Sequence, residues 1–238
     1  MQELGVGLVY WPALAPLFES GVAAVLELEP QTLWKKTSSP HGFAYQLNEQ
    51  LFESVVSLPQ PKLMHGVGQP VAGTVDDPTE YVPLLQQMAR HLQPAWISEH
   101  LSFNRVRQGD EVHECGFLLP PAQTLATARV AARNIRRYAA DVGYPVAFET
   151  GVNYLAPVQG HLDDGRFFAE VAALADCGVL LDLHNLLCNE RNGRQRALDA
   201  IDQMPLDRVW EVHVAGGSEL DGLWLDAHSG AMPQELID

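Results

Sequence analysis

Short apolar runs rich in β-branched residues alternate with helix-patterned segments along nearly the whole chain, and this alternation restricts the fold more than any other feature. A strand followed by a helix and another strand closes as a crossover, which makes neighbouring strands parallel and covers the sheet with helices. Seven strands are predicted: Leu4 to Val9, Ala23 to Glu29, Lys62 to His65, Ala95 to His100, Val146 to Glu149, Val179 to Leu183 and Val209 to Val214. Helical periodicity is clearest from Gln123 to Val142, through Leu125, Ala128, Ala132, Ile135 and Ala139, and again from Arg166 to Ala175. Pro59, Pro61, Pro94, Pro145 and Pro205 fall at helix-to-strand connections, where a missing amide donor costs least. The expected architecture is an α/β fold, a TIM (β/α)8-type barrel.

The 238 residues suit one barrel, so a single domain over 1–238 is expected. Gly216 to Asp238 holds no apolar run able to form an eighth strand, so the barrel is expected to lack its last strand-helix unit and to be incomplete at its C-terminal end. Phe103 to Ala122 is the longest irregular piece; it follows a strand, and loops after barrel strands form the functional face, so it reads as a lid. The net charge of −15 argues against nucleic acid as a partner, since phosphate binding needs a dense positive stripe. Arg129, Arg133, Arg136 and Arg137 read as a solvated helix face. Cys115, Cys177 and Cys188 are odd in number and form no Cys-x-x-Cys pair, which speaks against a disulfide framework or a thiolate zinc site and fits a reducing cytoplasm. No apolar run approaches eighteen residues, so no membrane partner is expected.

Five of the seven predicted strands end in a histidine, an acid or both: His65, Glu99 with His100, Glu149, Asp182 with His184, and Glu211 with His213. In a parallel barrel such ends converge at one mouth, and alternation puts Asp182 and His184, or Glu211 and His213, on one face. Imidazole and carboxylate without thiolate suit Fe(II), Mn(II) or Zn(II). Any one of these histidines could serve only a local hydrogen bond; their recurrence on strand after strand favours a metal centre. Asp226-Ala-His228 adds a carboxylate and an imidazole two residues apart, a pattern that by itself usually marks a turn.

Glu27 and Glu29 share a strand face, either as groups holding ligands or as a solvated edge. Asn153 and Asn185 can ligate or orient, and capping roles are equally open to them. Cys188 is placed in the loop after the sixth strand, where it could touch the site or act as a small buried hydrophobe. His41, His91, His113 and His161 are set aside.

His65-Gly-Val-Gly, Ser98-Glu-His-Leu101, Glu149 through Asn153-Tyr-Leu155, Leu181-Asp-Leu-His-Asn185, Glu211-Val-His-Val-Ala-Gly216 and Asp226-Ala-His228 resemble, in order, the motifs of the methanobactin-biosynthesis MbnB and TglH family, as do Gly5-Val-Gly-Leu8 and Leu26-Glu-Leu-Glu-Pro30. The resemblance implies a xylose-isomerase-like barrel that holds two or three iron ions and uses oxygen to oxidise a cysteine within a peptide presented by a small partner protein. It carries metal-ligand roles onto His65, His100, Glu149, Asp182, His213, Asp226 and His228, with Asn185 as a further ligand and Asn153 as a weaker one; no catalytic residue is assigned apart from the metal cluster, beside which Asn153, Asn185 and His184 stand as supporting residues. Manganese or zinc are the other metals compatible with the donors. The chain departs from the pattern in carrying His184 where the family generally has asparagine and Glu149-Thr-Gly in place of Glu-Asn-Pro, and the family's eighth strand with its further glutamate ligand has no counterpart before Asp238.

The expected activity is that of a multinuclear iron-dependent oxidase or oxygenase acting on a peptide cysteine, as in ribosomal peptide natural-product biosynthesis. Two alternatives stay open: a divalent-metal sugar isomerase or hydrolase on the same barrel, and a degenerate barrel that binds metal or a partner without catalysis. Isomerases of this kind commonly use a lysine, yet Lys35, Lys36 and Lys62 all lie away from the predicted functional strand ends.

Overall fold

A computed structural model describes residues 3–39, 42–75 and 81–237; His41 lies outside them. Every predicted strand is present: β1 (Gly7–Val9), β2 (Val25–Leu28), β5 (Lys62–Gly66), β6 (Ile97–His100), β9 (Val146–Glu149), β10 (Gly178–Asp182) and β11 (Val209–His213). Three two-stranded antiparallel hairpins were not predicted: β3 (Trp34–Ser39) with β4 (Gly42–Leu47), β7 (Phe103–Gln108) with β8 (Glu111–Leu119), and β12 (Ser218–Leu220) with β13 (Leu223–Leu225). The second corrects the reading of Phe103 to Ala122 as irregular. Its strands carry charged residues on exposed positions, so they lack the apolar alternation that marks a half-buried strand. The helices are α1 (Ala15–Glu19), α2 (Glu49–Val56), α3 (Val82–Leu92), α4 (Leu125–Val142), α5 (Asp164–Ala175), α6 (Leu183–Arg191) and α7 (Ala197–Asp202). Among the described residues, no helix is long and apolar enough to cross a membrane.

The chain divides into two compact units. The first comprises Met1–Gln69, Asp77–Glu99 and Tyr138–Val146. In it β1, β2, β5 and β6 pair in parallel, in that order. Leu26, Leu28, Met64 and Ile97 from these strands are almost fully buried, together with Phe18, Leu85 and Met88 from the helices.

The second unit comprises Pro70–Asp76, His100–Arg137 and Ala147–Asp238. Here β9, β10 and β11 run parallel in chain order, and Leu101 N–H donates to the carbonyl of Glu149 at the end of β9. Phe148, Phe167, Leu180, Ala128 and Ile135 form its core. Gly165, in the first turn of α5, lets that helix approach α7 closely, because a Cβ there would collide with the carbonyl of Ala200. The α5 amides exposed by the helix start are satisfied from outside the helix: Gly165 N–H donates to Gln195 Oε1 at 3.1 Å and Arg166 N–H to Gln203 Oε1 at 3.1 Å.

At the same helix start lies a buried ionic network. Arg194, in the α6–α7 connection, places Nη2 2.7 Å from Asp164 Oδ1 and 2.8 Å from Gln123 Oε1, while its Nη1 donates to the carbonyl of Leu155. Gln123 Nε2 in turn donates to Asp164 Oδ1 at 2.5 Å. One guanidinium therefore joins the start of α4, the start of α5, the α6–α7 connection and the segment after β9.

Candidate metal centre

The strand ends of the second unit gather acids and imidazoles. Ligand atoms of Glu149 (end of β9), Asp182 (end of β10) and His213 (end of β11) lie within 4.8 Å of one another. His100 Nε2 stands 3.0 Å from Glu149 Oε2. Glu211, two residues before His213, has Oε1 3.8 Å from His213 Nε2, as the shared strand face predicts.

Asp182 has two jobs. Its Oδ1 caps α6 by accepting Asn185 N–H at 2.7 Å, and its own N–H donates to Thr150 Oγ1 at 2.9 Å. Its Oδ2 is buried and accepts no hydrogen bond, with His213 Nδ1 4.0 Å away. Burial, and then the nearby Glu149 charge, push the Asp182 carboxyl up to about 7. Asn185 donates through Nδ2 to Glu149 Oε1 at 3.3 Å and to the carbonyl of Thr150 at 3.1 Å, while its buried Oδ1 accepts no hydrogen bond.

Two buried carboxylates side by side are costly without a compensating charge, and buried acceptors facing no donor are costly in the same way. A divalent cation offsets both costs, so Glu149, Asp182, His213 and the oxygen of Asn185 fit a hard or borderline metal ion.

A second group forms around Asp226. Ligand atoms of His184, Asp226 and His228 also lie within 4.8 Å of one another. His184 Nδ1 and His228 Nε2 both address Asp226 Oδ1, at 3.0 and 2.9 Å. The hydrogen bond to Asp226 raises the His228 pKa, whereas burial lowers that of His184 against the pull of the same carboxylate. His228 adopts φ of 46°, left-handed backbone that a non-glycine residue enters at a cost of about 1–2 kcal/mol. Such strain persists where surrounding contacts fix the segment. Those contacts are specific: Asp226 N–H donates to Tyr154 Oη at 2.9 Å, and the Asn192 carboxamide both accepts Trp224 N–H at 2.9 Å and donates to the carbonyl of Trp224 at 2.8 Å.

A family model described as "RiPP precursor modification enzyme MbnB/TglH/ChrH" matches residues 22–238. The chain belongs to this family. Among MbnB/TglH/ChrH relatives, a UPF0276 protein of Anaeromyxobacter sp. (strain Fw109-5) is 29% identical over 213 residues, covering 87% of this chain and 72% of that protein. Two solved structures are similar in fold: the 3-keto-D-glucoside 4-epimerase YcjR from E. coli, at 12% identity and a TM-score of 0.55 over 92% of this chain and 84% of that one, and the TTHB071 protein from Thermus thermophilus soaked with ZnCl2, at 14% identity and a TM-score of 0.55 over 95% and 82%. The fold of this MbnB/TglH/ChrH chain is thus that of the xylose-isomerase-like TIM barrels, represented among the described residues by seven parallel strands.

Of the residues singled out from the sequence of this MbnB/TglH/ChrH protein, His100, Glu149, Asp182, Asn185 and His213 come together, and Asp226, His228 and His184 form the neighbouring group. His65 lies in the first unit, where its Nδ1 is 2.8 Å from Ser98 Oγ and 3.9 Å from Glu27 Oε1; Glu27 is buried, not a solvated edge. Glu99, also buried there, accepts Gln69 N–H at 3.2 Å and so holds the loop after β5. Two expectations are corrected. His184 does not share a strand face with Asp182, because Asp182 ends β10 by capping α6 and His184 sits in the first helical turn. Cys188 is buried within α6, not in a loop, and burial and then the Asp226 carboxylate push its thiol up to about 12. Asn153 Oδ1 accepts Leu155 N–H at 3.0 Å, the local turn role that its sequence left open beside ligation. Thr150, Asn192 and Trp224 escaped sequence reasoning, since nothing in their local pattern distinguishes them from other polar or aromatic loop residues.

Gly217 explains why the Glu211-to-Gly216 motif runs on into a second glycine. A Cβ there would collide with the carbonyl of Leu225 and stand 2.8 Å from His184 Nε2 and 2.9 Å from Trp224 Nε1. Gly217→Ala is expected to cost about 1–3 kcal/mol and to loosen the Asp226 segment. Chemical denaturation checks the first effect; increased proteolytic cleavage between Gly217 and His228 checks the second.

Proposed function

We propose that this chain is a multinuclear iron-dependent oxidase or oxygenase that modifies a cysteine of a ribosomally made precursor peptide. The observation that carries the reading is the pairing of two adjacent imidazole-carboxylate groups, Glu149–Asp182–His213 with His100 and Asp226–His228, in a chain of the MbnB/TglH/ChrH family. Iron bound there would supply electrons to dioxygen and Lewis-acid sites for a substrate thiolate. Glu149 and Asp182 contribute the negative charge that holds the cations, and Asn185 fixes the orientation of Glu149 through its amide. His65, held by Ser98, is carried as a further ligand on its motif, and a small partner protein is proposed to present the peptide. Zinc or manganese fits the same donors; zinc was soaked into the TTHB071 protein of similar fold. The epimerase likeness rests on fold at 12% identity and supports no sugar substrate here.

The test is metal analysis by plasma mass spectrometry on protein purified without oxygen, beside an Asp182→Ala/His213→Ala double variant. Two or three irons per chain, reduced in the variant, are expected. Exposure of the iron-loaded protein to oxygen with cysteine-containing precursor peptides should then change the peptide's mass. Absence of bound metal, or metal content indifferent to the double variant, would sink the reading.

A further inference from the structure

His184 is fully buried at its side chain, and both of its ring nitrogens are engaged. Nε2 lies 3.3 Å from Trp224 Nε1, and an indole N–H can only donate, so Nε2 is the acceptor. In a neutral imidazole the one proton then sits on Nδ1, which is 3.0 Å from Asp226 Oδ1 and donates to it. A ring that accepts at Nε2 bears no proton there, so the imidazole is neutral.

The indole is aimed independently of His184. Asn192 clamps the Trp224 backbone on both sides, and the Arg191 guanidinium lies 4.0 Å from the centre of the Trp224 ring. The thiol of Cys188, 3.7 Å from His184 Nε2, fills the remaining side. Gly217 closes the enclosure, since a Cβ there would stand 2.8 Å from His184 Nε2.

The geometry points to His184 as a positioning residue and not a metal ligand: it donates its Nδ1 proton to Asp226 and reads the Trp224 indole through Nε2, so that the Asp226 carboxylate is held beside His228 for a cation. This rests on the metal centre proposed above. An imidazole that orients a ligating carboxylate does for it what outer hydrogen-bond partners do for metal ligands generally, and loss of such a partner typically weakens metal binding 10–100-fold.

The test uses the full chain and zinc(II) as a diamagnetic probe. With 15N-labelled histidine, the His184 ring, assigned by its disappearance in His184→Asn, should show a proton on Nδ1 in both metal-free and zinc-loaded protein. Zinc should leave its ring nitrogens unmoved while shifting those of His213 and His228. In zinc titrations, His184→Ala should weaken the poorer site by about 10–100-fold, whereas His184→Asn, whose amide nitrogen overlies the imidazole Nδ1, should stay within about threefold. A zinc-dependent shift or loss of the ring proton at His184 would overturn the proposal while leaving the metal centre intact, and so would equal losses in the Ala and Asn variants. Failure of wild-type protein to bind zinc at all would remove the metal centre itself and this role with it. The ring-proton measurement on wild-type protein decides the matter even where His184→Ala fails to fold.

Discussion

Asp182→Asn is expected to empty the Glu149–Asp182–His213 group of metal and, in the same protein without metal, to raise stability at pH 8. The two effects have one cause. Asp182 is fully buried beside Glu149, and one of its oxygens meets no donor, an arrangement suited to a cation and unfavourable in its absence. Moving a carboxyl pKa from 3.8 to about 7 corresponds to about 4 kcal/mol against the ionised form. Asparagine keeps the shape, removes the charge and places a donor beside Glu149; since its amide must still be buried, a gain of about 2 kcal/mol, or roughly 4–8 °C in Tm, is expected.

The pH dependence has a definite sign. Below pH 3.8 Asp182 is protonated whether the chain is folded or not and imposes no charge to bury. As pH rises from about 4 to about 7 the unfolded chain releases that proton while the folded, metal-free chain keeps it, so folding loses stability across this window. The melting difference between Asp182→Asn and wild type should therefore widen from pH 4 to pH 7 and then level off. Calorimetry on chelator-treated protein measures it; a variant less stable than wild type at pH 8, or one that still binds a full complement of metal, would contradict the assignment.

Arg194→Met is expected to produce the largest loss of stability of any single substitution considered. The Arg194 and Asp164 side chains are 6% and 2% exposed, and removing the cation strands the buried Asp164 carboxylate with Gln123 as its remaining side-chain donor. Breaking a buried pair from one side typically costs about 3–5 kcal/mol. Arg194 also donates to Leu155 in the segment carrying Asn153 and Tyr154, and Tyr154 accepts the amide of Asp226, so the loss should extend to the Asp226–His228 group. Urea denaturation of Arg194→Met and of Arg194→Met/Asp164→Asn separates the causes: the double variant, with no stranded charge, should recover more than half of the loss. A cost under about 1 kcal/mol in the single variant would show that water reaches Asp164 and relieves it.

The scaffold was legible because its signals are local. Strand runs such as Val146 to Glu149 and Val209 to His213 are short apolar segments ending abruptly in a polar side chain, and the α4 periodicity is carried by residues three or four apart. The hairpin at Phe103–Leu119 was missed because its pairing rests on backbone bonds between exposed, charged strands, with no buried face to impose alternation. The reading of Leu183 as strand, with His184 on the face of Asp182, failed for a related reason: the switch to helix is made by the Asp182 cap, and an aspartate at a strand end looks the same from the sequence whether it caps or ligates.

By itself, then, the sequence determined the parallel strand-helix series and placed histidines and acids at its strand ends, because periodicity and a change of polarity at a run's end are properties of neighbouring residues. Which of those side chains meet was decided only by the tertiary structure. Glu149, Asp182 and His213 converge because parallel pairing aligns the ends of β9, β10 and β11, while His184 is carried by the first turn of α6 to Asp226, 42 residues on. The supports of the site, Asn192 against Trp224 and Arg194 against Asp164, likewise join residues about 30 positions apart. Packing chooses such partners, and no local pattern in the chain encodes them.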